Sequence, residues 1–216
     1  MDKTKGLWQS APMLLNRNTA VYRIAASVSR VFGIRYHDSL YGEKNLLSEL
    51  PVVTSSLVLD IRKAVKSEIR DVALLQGGDT LSRFEFAVAN GSSCYIAWVE
   101  GEPAGYSWTN NRVMMMDRHK AADVPPSGSF HFNSFVFPQF RGNKIFQCLI
   151  YHVYMDLKAQ GCKFAGNFVD RENTASIKAR KNFGALFQPA KMVKLPGFRL
   201  FSVGQRFVPG ASLEVS

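Results

Sequence analysis

The sequence predicts a mixed α/β fold in which helices pack on a central sheet. Segments with alternating or short continuous apolar runs are separated by segments of helical periodicity, in the order strand, helix, hairpin, strand, helix, strand, helix, strand, strand. The chain has 216 residues, a length that suits one domain with a sizeable core. We therefore expect a domain over residues 56–216, preceded by an N-terminal extension over residues 1–55.

The extension is predicted to be partly helical. Apolar side chains recur at helical spacing in "AVYRIAASVSRVFGIRY", and the stripe consists of Val21, Ile24, Ala25, Val28, Val31 and Phe32. Such a helix could pack on the domain, pair with a second copy or lie on a membrane surface. Packing on the domain is the favoured interpretation, because the stripe is short and holds no tryptophan or lysine cluster.

The first half of the domain begins with a strand in "SSLVLDIRKA" and a helix in "AVKSEIRDVALLQ". In "SSCYIAWVEGEPAGYSWTNNRV", Gly101 and Pro103 mark the reversal between two short strands, which predicts a β-hairpin. The following "DRHKAADVPPSGS" is polar and contains two prolines. We expect a loop there.

The second half opens with "FHFNSFVF", whose apolar residues on both faces predict a central strand that ends at Pro138. A helix is expected in "IFQCLIYHVYMDLKAQG", with Gly161 as its stop. The strand "CKFAGNFVD" follows, and then a short helix that begins at Asn173 and ends at Gly184. Two more strands are expected in "ALFQPAKMVKL" and "GFRLFSVG".

Charge and composition limit the classes of molecule that this protein is expected to bind. The formal net charge is +10, which attracts phosphorylated cofactors, nucleic acid and anionic membranes. No helix-turn-helix, zinc or RNA-binding signature is present, so no specific nucleic acid is expected. No basic segment followed by an apolar stretch and a small-residue cleavage site opens the given sequence, so we do not expect a secreted product. The given sequence contains no apolar run of about 18 residues that could span a bilayer. The three cysteines and four histidines show no metal-ligand spacing, so we expect reduced thiols, a cytoplasmic protein and no metal.

The turn "QFRGNK" joins the central strand to the helix after it. The first amides of a helix have no partners within the helix and carry partial positive charge, so such a turn suits a phosphate or pyrophosphate. Arg141 and Lys144 add positive charge to this turn, and Gly142 permits a close backbone approach. On spacing alone, many surface turns that bind nothing contain the same Arg-Gly pair.

Three segments together resemble the GNAT superfamily of CoA-dependent acyltransferases over roughly residues 55–205. "CYIAWVEGEPAGYSW" resembles the second and third strands of the family, "FVFPQFRGNKIF" its pantetheine strand and pyrophosphate loop, and "FVDRENTASIKARKNFGALF" its asparagine-containing segment. The resemblance implies a GNAT-like, mostly antiparallel twisted sheet with helices on its faces. In that fold, the parallel strands 4 and 5 splay apart, and the activity is acyl transfer from acyl-CoA to an amine.

The resemblance also implies cofactor-binding residues. The backbone of Phe135, Val136 and Phe137 would bind the pantetheine arm, and Asn173 would bind near the thiol end. The pyrophosphate would be held by the amides of Arg141, Gly142, Asn143, Lys144, Ile145 and Phe146. Lys144 stands where the family has glycine, and we expect it to adopt helical dihedrals. Phe146 stands where the family has glycine or alanine, and we expect it to turn toward the core.

Fewer residues are candidates for catalysis than for cofactor binding. His131 and Asp170 are the candidate bases, followed by Glu100, because their side chains can accept a proton from an amine near neutral pH. A buried structural histidine and a loop carboxylate are the alternative interpretations. Strand alternation places Asn133 on the same face as His131, and Asn133 is a candidate substrate-binding residue. Many family members have a tyrosine seven residues after the asparagine, whereas this chain has Arg180. We interpret Arg180 as a solvent-exposed residue, and electrostatic stabilisation of the leaving thiolate is the alternative.

Tyr106 and Trp108 are candidates to line an acceptor pocket, with a core position as the alternative. The favoured function is transfer of an acyl group, most simply acetyl from acetyl-CoA, to a small-molecule amine. The layout resembles transferases associated with bacterial surface-polysaccharide synthesis, which implies an amino sugar as acceptor. The alternative is a catalytically silent module of the same fold that binds a ligand or partner. Both a monomer and a homodimer are compatible with the sequence. A peripheral contact with a membrane is also compatible with it.

Overall fold

An eight-stranded sheet runs through the part of the chain that this computed structural model describes, residues 35–116, 119–194, 201–202 and 209–210. Its strands are β1 (Arg35–Asn45), β2 (Asp60–Lys63), β3 (Ser93–Val99), β4 (Glu102–Asn110), β7 (Gly128–Val136), β8 (Phe164–Asp170), β9 (Leu186–Lys194) and β10 (Phe201–Ser202). A separate hairpin consists of β5 (Val113–Met116) and β6 (His119–Asp123). The helices are α1 (Lys66–Gln76), α2 (Thr80–Ala89), α3 (Ile145–Ala159) and α4 (Thr174–Lys181).

The sheet is mixed but mostly antiparallel, in the strand order β10, β9, β1, β8, β7, β4, β3, β2. Its parallel pair is β7 with β8, and this pairing covers Gly128–Phe130 opposite Phe164–Gly166 before it ends. The remainder of β7 still pairs with β4 on its other side. The predicted mixed α/β class, with two parallel strands that separate along their length, is confirmed.

Helices cover both faces of the sheet. On one face, α3 and α4 pack against β3 and β8, through a core that includes Tyr95, Leu149, Val153, Ala165 and Ala179. On the other face, α1 and α2 bury Val72 and Phe84 against Ile96, Tyr106 and Trp108. Tyr95 and Ile96 point to opposite faces because side chains alternate along a strand. Both faces of the central strands are therefore covered by helices.

Strand β1 was not predicted. It lies between β8 and β9 and is antiparallel to both, so residues 35–45 of the expected extension contribute to the sheet itself. The segment "RYHDSLYGEKN" is rich in charged and polar residues and lacks the apolar run of a buried strand. The proposed helix over residues 20–36 lies almost wholly outside the described residues.

Helix α2 and strand β6 were also missed. The segment "TLSRFEFAVA" contains phenylalanine, valine and an alternation of polar and apolar residues, which are typical of a strand. These features obscure the helical period that buries Phe84 and Ala87. Residues 119–123, expected in a loop, pair with β5 as strand β6, although the segment is polar. The other expected helices and strands of the domain are present, and Asn173 caps α4 by accepting a hydrogen bond from the Ser176 amide (3.1 Å).

Two further features of the described residues concern membranes and thiols. None of the described helices is long and apolar enough to cross a membrane. Cys94, Cys148 and Cys162 are unpaired and buried, and burial raises the pKa of each thiol.

The junction after β1 offers a matched test of its packing. Leu46 is 0% exposed in the core under α3, whereas its neighbour Leu47 is 61% exposed. Leu46→Ala should lower the free energy of unfolding by about 2–5 kcal/mol, because it leaves a cavity. Leu47→Ala should change it by less than about 0.5 kcal/mol. Urea unfolding of both variants checks this, and equal effects would show that the end of β1 does not pack on the domain.

Candidate active site

A cavity of about 990 Å³ opens where β7 and β8 separate. Both strands contribute to its walls, together with the loop before α3, the first turn of α3 and one side of α4. The predicted site residues on its wall are His131, Asn133, Phe135, Val136, Arg141, Gly142, Lys144, Ile145, Phe146, Asp170 and Asn173. The structure thus brings together most of the residues that sequence analysis singled out.

The cavity reaches both faces of the sheet. On the face of α3 and α4 it is bordered by the loop before α3 and by Ala179 and Arg180. On the opposite face it is bordered by Arg83 and Ala87 of α2 and by phenylalanines of β7 and β8, which are Phe130, Phe132, Phe135 and Phe168. The gap between the separated strands connects the two sides. Two molecules could therefore meet in this gap from opposite faces.

The loop before α3 presents free amides to the cavity. After a 3₁₀ turn at Pro138–Phe140, Gly142 (φ 88°) and Lys144 (φ 57°) both have left-handed backbones. In the described part of the chain, no amide from Gly142 to Gln147 donates a hydrogen bond to another protein group. Such a row of unpaired donors at a helix N-terminus favours an anion. Lys144 does not have the expected helical dihedrals; it adopts the conformation that glycine adopts most easily.

Side chains of the loop have separate roles. Asn143 accepts a hydrogen bond from Ser56 Oγ on its side chain (2.8 Å) and one from Ser55 Oγ on its carbonyl (2.7 Å), which anchors the loop. The Arg141 side chain folds back on β7, where Nε donates to the Val136 carbonyl (3.2 Å). Phe146 packs partly against the core, as expected, and also lines the cavity.

Phe137 differs from its two predicted partners on the pantetheine strand. Its N–H donates to the Ala104 carbonyl (3.0 Å), and its own carbonyl accepts from the Phe140 amide (3.0 Å). Its side chain is buried in the core under α1 and α2 and does not line the cavity. Phe135 and Val136 are therefore better placed than Phe137 to meet a ligand in the gap.

A β-bulge interrupts β7 beside the gap. One residue of β4, Ser107, stands opposite two residues of β7, Asn133 and Ser134, and Asn133 has a φ of 45°. Because of this extra residue, Ser134 rather than Asn133 joins His131 in a hydrogen-bonded group. Ser107 Oγ contacts Ser134 Oγ (2.6 Å) and also His131 Nε2. The expected pairing of His131 with Asn133 on one face is corrected by the bulge.

His131 is fully buried, and both ring nitrogens are engaged. Nδ1 lies 3.3 Å from Arg180 Nη1, and Nε2 contacts Ser107 Oγ and lies 3.2 Å from Ser134 Oγ. A guanidinium can only donate, so Nδ1 accepts and the ring hydrogen resides on Nε2. Burial, and secondarily the charge of Arg180, hold the pKa of His131 well below its usual value. The ring therefore has no lone pair left to accept a further proton.

Arg180 was expected on the surface, but the structure buries it, and it is only 3% exposed. Nη1 donates to Tyr154 Oη (3.2 Å), and the guanidinium lies over the Phe146 ring, 5.6 Å from its centroid. Nε has no acceptor, and in the described part of the chain no carboxylate forms an ion pair with Arg180. Burial lowers the pKa of Arg180. The sequence shows an arginine at a position where many GNAT acyltransferases have tyrosine, but it carries no signal for the burial of that arginine.

Asp170 and Asn173 lie at the open end of the gap. Asp170 is the last residue of β8, is half-buried, and accepts a hydrogen bond from the Glu172 amide through Oδ1 (2.8 Å). Asn173 uses Oδ1 to cap α4, and both residues line the cavity. Glu100 lies in the exposed turn between β3 and β4, away from this cavity.

Tyr106 and Trp108 are core residues rather than cavity residues. Their rings are 1% and 0% exposed, and both pack edge-on against Phe84 of α2. Neither lines the cavity, because both side chains point to the face that α1 and α2 cover. Within the ranges that the structure describes, no group of three or more histidine, cysteine or acidic side chains could hold a metal ion.

No protein-family model matches the sequence, and no curated protein matches it. Among solved structures, an acetyltransferase assigned to the GNAT family from Novosphingobium aromaticivorans is 14% identical and covers 74% of this chain and 65% of its own, with a TM-score of 0.49. An N-acetyltransferase from Staphylococcus aureus is 17% identical over 59% of this chain and 82% of its own, with a TM-score of 0.45. An aminoglycoside N-acetyltransferase in complex with CoA is 22% identical over 62% of this chain and 91% of its own, with a TM-score of 0.44. This chain thus spans 65% of the length of the first of these proteins.

Lys144 offers a test of the left-handed loop. Lys144→Gly should raise the free energy of unfolding by about 0.5–1 kcal/mol, because relief of the left-handed strain exceeds the added freedom of glycine in the unfolded chain. Lys144→Ala removes the same charge but keeps the strain, so it should change the stability by less than about 0.5 kcal/mol. Urea unfolding compares the two variants. A glycine variant no more stable than the alanine variant would contradict the left-handed backbone.

His131 should make stability depend on pH. Because burial lowers its folded pKa below the usual 6.5, the unfolded chain binds the proton more readily. The contribution of His131 is therefore complete above pH 6.5 and is lost as the pH falls below it, by about 1.4 kcal/mol at pH 5.5. His131→Gln should remove this part of the pH profile of unfolding, and His152→Gln is the matched substitution at an exposed site. A His131→Gln profile parallel to the wild type would contradict the buried, neutral ring.

Proposed function

We propose that this protein is an acyltransferase that moves an acyl group, most simply acetyl, from acyl-CoA to the nitrogen of a small amine. One observation carries the proposal: the gap between β7 and β8 is continuous with the unpaired amides at the start of α3. A long ligand with an anionic end and a reactive end suits this shape. The resemblance of three ordered sequence segments to GNAT acyltransferases supports the same assignment.

The residues around the cavity suit CoA as the co-substrate. The pyrophosphate would accept hydrogen bonds from the amides of Gly142–Gln147, with the Lys144 ammonium nearby. The pantetheine arm would lie along the edge of β7 that β8 leaves unpaired, at Phe135 and Val136. Asn173 borders the same space from α4. Acyl-CoA would supply an acyl group that is activated as a thioester.

Acyl transfer to an amine requires a base and a donor for the oxyanion. We assign the base to Asp170, which lies on the cavity wall and is partly exposed. Its Oδ1 accepts the hydrogen bond from the Glu172 amide, and its Oδ2 is not used in that contact. We assign the oxyanion donor to the backbone N–H of Val136 on the central strand. His131 then holds the floor of the site in place through Ser107, Ser134 and Arg180 rather than moving a proton.

The acceptor would enter from the face of α2. The wall there combines the phenylalanines of β7 and β8 with the Asp79–Arg83 pair, so a compact amine with an apolar or ring-shaped body fits it. An amino sugar meets that description, and a role in surface-polysaccharide synthesis rests on the sequence resemblance. We place the reaction in the cytoplasm, on the basis of the composition.

A catalytically silent binding module is the second candidate. It is favoured by the engaged nitrogens of His131 and by Arg180 at the position where many family members have tyrosine. Release of free CoA thiol from acetyl-CoA in the presence of a panel of amines separates the two functions. Thiol release that depends on an amine supports the enzyme, whereas tight acetyl-CoA binding without turnover supports the module.

Charge reversal in the loop tests the anion site. Lys144→Glu should weaken acetyl-CoA binding at least about tenfold, or about 1.4 kcal/mol, because a carboxylate would repel the phosphates. Lys163→Glu makes the same charge change at an exposed residue just before β8, next to the paired end of the strand, and should leave affinity within about twofold. Calorimetry, or the thermal shift with acetyl-CoA, measures both variants. Equal losses would contradict the loop site, and no binding to the wild type would overturn the proposed function.

A further inference from the structure

Arg180 is a buried positive charge that has no negative partner among the residues that the structure describes. Its side chain is 3% exposed, yet it borders the cavity. Arginine is almost never buried in proteins unless it is paired, because removing a charge from water is costly. Its hydrogen-bond partners in the described residues, His131 and Tyr154, are neutral groups, and its Nε has no acceptor. Within the described part of the chain this charge is not neutralised, so it is available to an anionic ligand that enters the cavity.

The guanidinium is held in place for such a ligand. Nη1 is directed by His131 Nδ1 and Tyr154 Oη, and the Phe146 ring supports its flat face. Two other buried side chains on the flanking strands, Ser129 and Asn167, also have polar atoms without hydrogen-bond partners among the described residues. They lie within one residue of the point where the pairing of β7 and β8 ends. Unsatisfied polar groups therefore concentrate at the closed end of the gap.

We propose that the transferred acyl group itself ends in a carboxylate, which pairs with Arg180. This inference rests on the proposed function and specifies its co-substrate as the CoA thioester of a short dicarboxylic acid, such as succinyl-CoA. Arginine suits this role because its planar donors match the two oxygens of a carboxylate. During transfer, the amine nitrogen attacks the thioester carbon, the C–N bond forms and Asp170 takes the amine proton. The C–S bond then breaks, and CoA leaves as a thiolate that takes a proton from solvent. The carboxylate stays ionised throughout.

The position of Arg180 favours the acyl group over the acceptor as the source of the carboxylate. Arg180 belongs to α4 and stacks on Phe146 in the first turn of α3, so it shares a face of the sheet with the proposed pyrophosphate site. The proposed acceptor side, with Arg83 and Ala87, belongs to the opposite face. A CoA thioester that enters from the loop would direct its acyl end toward the closed end of the gap, where His131 and Arg180 meet.

The first experiment compares acyl-CoAs on the wild-type full chain. Calorimetry with acetyl-CoA, butyryl-CoA and succinyl-CoA should show at least tenfold tighter binding of succinyl-CoA than of butyryl-CoA, a neutral thioester of equal acyl length. Equal affinities would overturn the proposal and leave the proposed function intact. No binding of any of the three would overturn both.

The second experiment tests Arg180 itself. In Arg180→Met, the preference for succinyl-CoA over butyryl-CoA should fall to about one, and Arg180→Lys should retain part of it. Because both affinities are measured on the same folded variant, a general loss of stability cannot mimic a change in their ratio. A preference that survives in Arg180→Met would overturn the proposal. The proposal would also be overturned if Arg180→Met kept the ratio of succinyl-CoA to butyryl-CoA affinity and raised the KM only for acceptor amines that carry a carboxylate. Arg180 would then bind the acceptor.

Discussion

The early end of the pairing between β7 and β8 is the constraint on which the rest of the site depends. Three residue pairs hold the strands together at Gly128–Phe130, and beyond them the two backbones separate. Parallel strands that stayed paired would close the sheet and leave no passage between its faces. Because they part, β7 has an unpaired edge, β8 ends in Asp170 at an open rim, and the cavity connects the side of α4 with the side of α2.

The charges of the site depend on His131 and Arg180, which meet at the closed end of the gap. Burial disfavours charge on His131, and the nearby guanidinium disfavours it further, so the imidazole is neutral and acts as an acceptor for Arg180. The arginine is the charge that persists, because even a lowered arginine pKa keeps the group protonated. At the other end, the amides before α3 supply a second positive region. Positive groups therefore lie at both ends of the unpaired edge of β7, and the Asp170 carboxylate lies at the open rim.

Several parts of the site could be predicted because their signals are local. The apolar run, Pro138, Gly142 and the helical period of α3 follow each other directly, and the structure has the strand, turn and helix in that order. Other parts could not. The left-handed backbone of Lys144 is a conformation in which lysine is rare, so residue type misled the expectation. The bulge at Asn133 shifts one residue of β7, and a single extra residue reverses which side chains share a face.

The sequence by itself determined which segments form the central strand, the turn before α3 and the capped helix α4, because hydrophobic period, proline, glycine and Asn173 act within a few residues of one another. Only the tertiary structure decided that β1 enters the sheet between β8 and β9, that Tyr106 and Trp108 belong to the core, and that Arg180 lies buried beside His131. These outcomes depend on which distant strand or helix lies across the sheet. A local pattern carries no information about that partner, and so the burial of a charged residue such as Arg180 is decided only when the chain has folded.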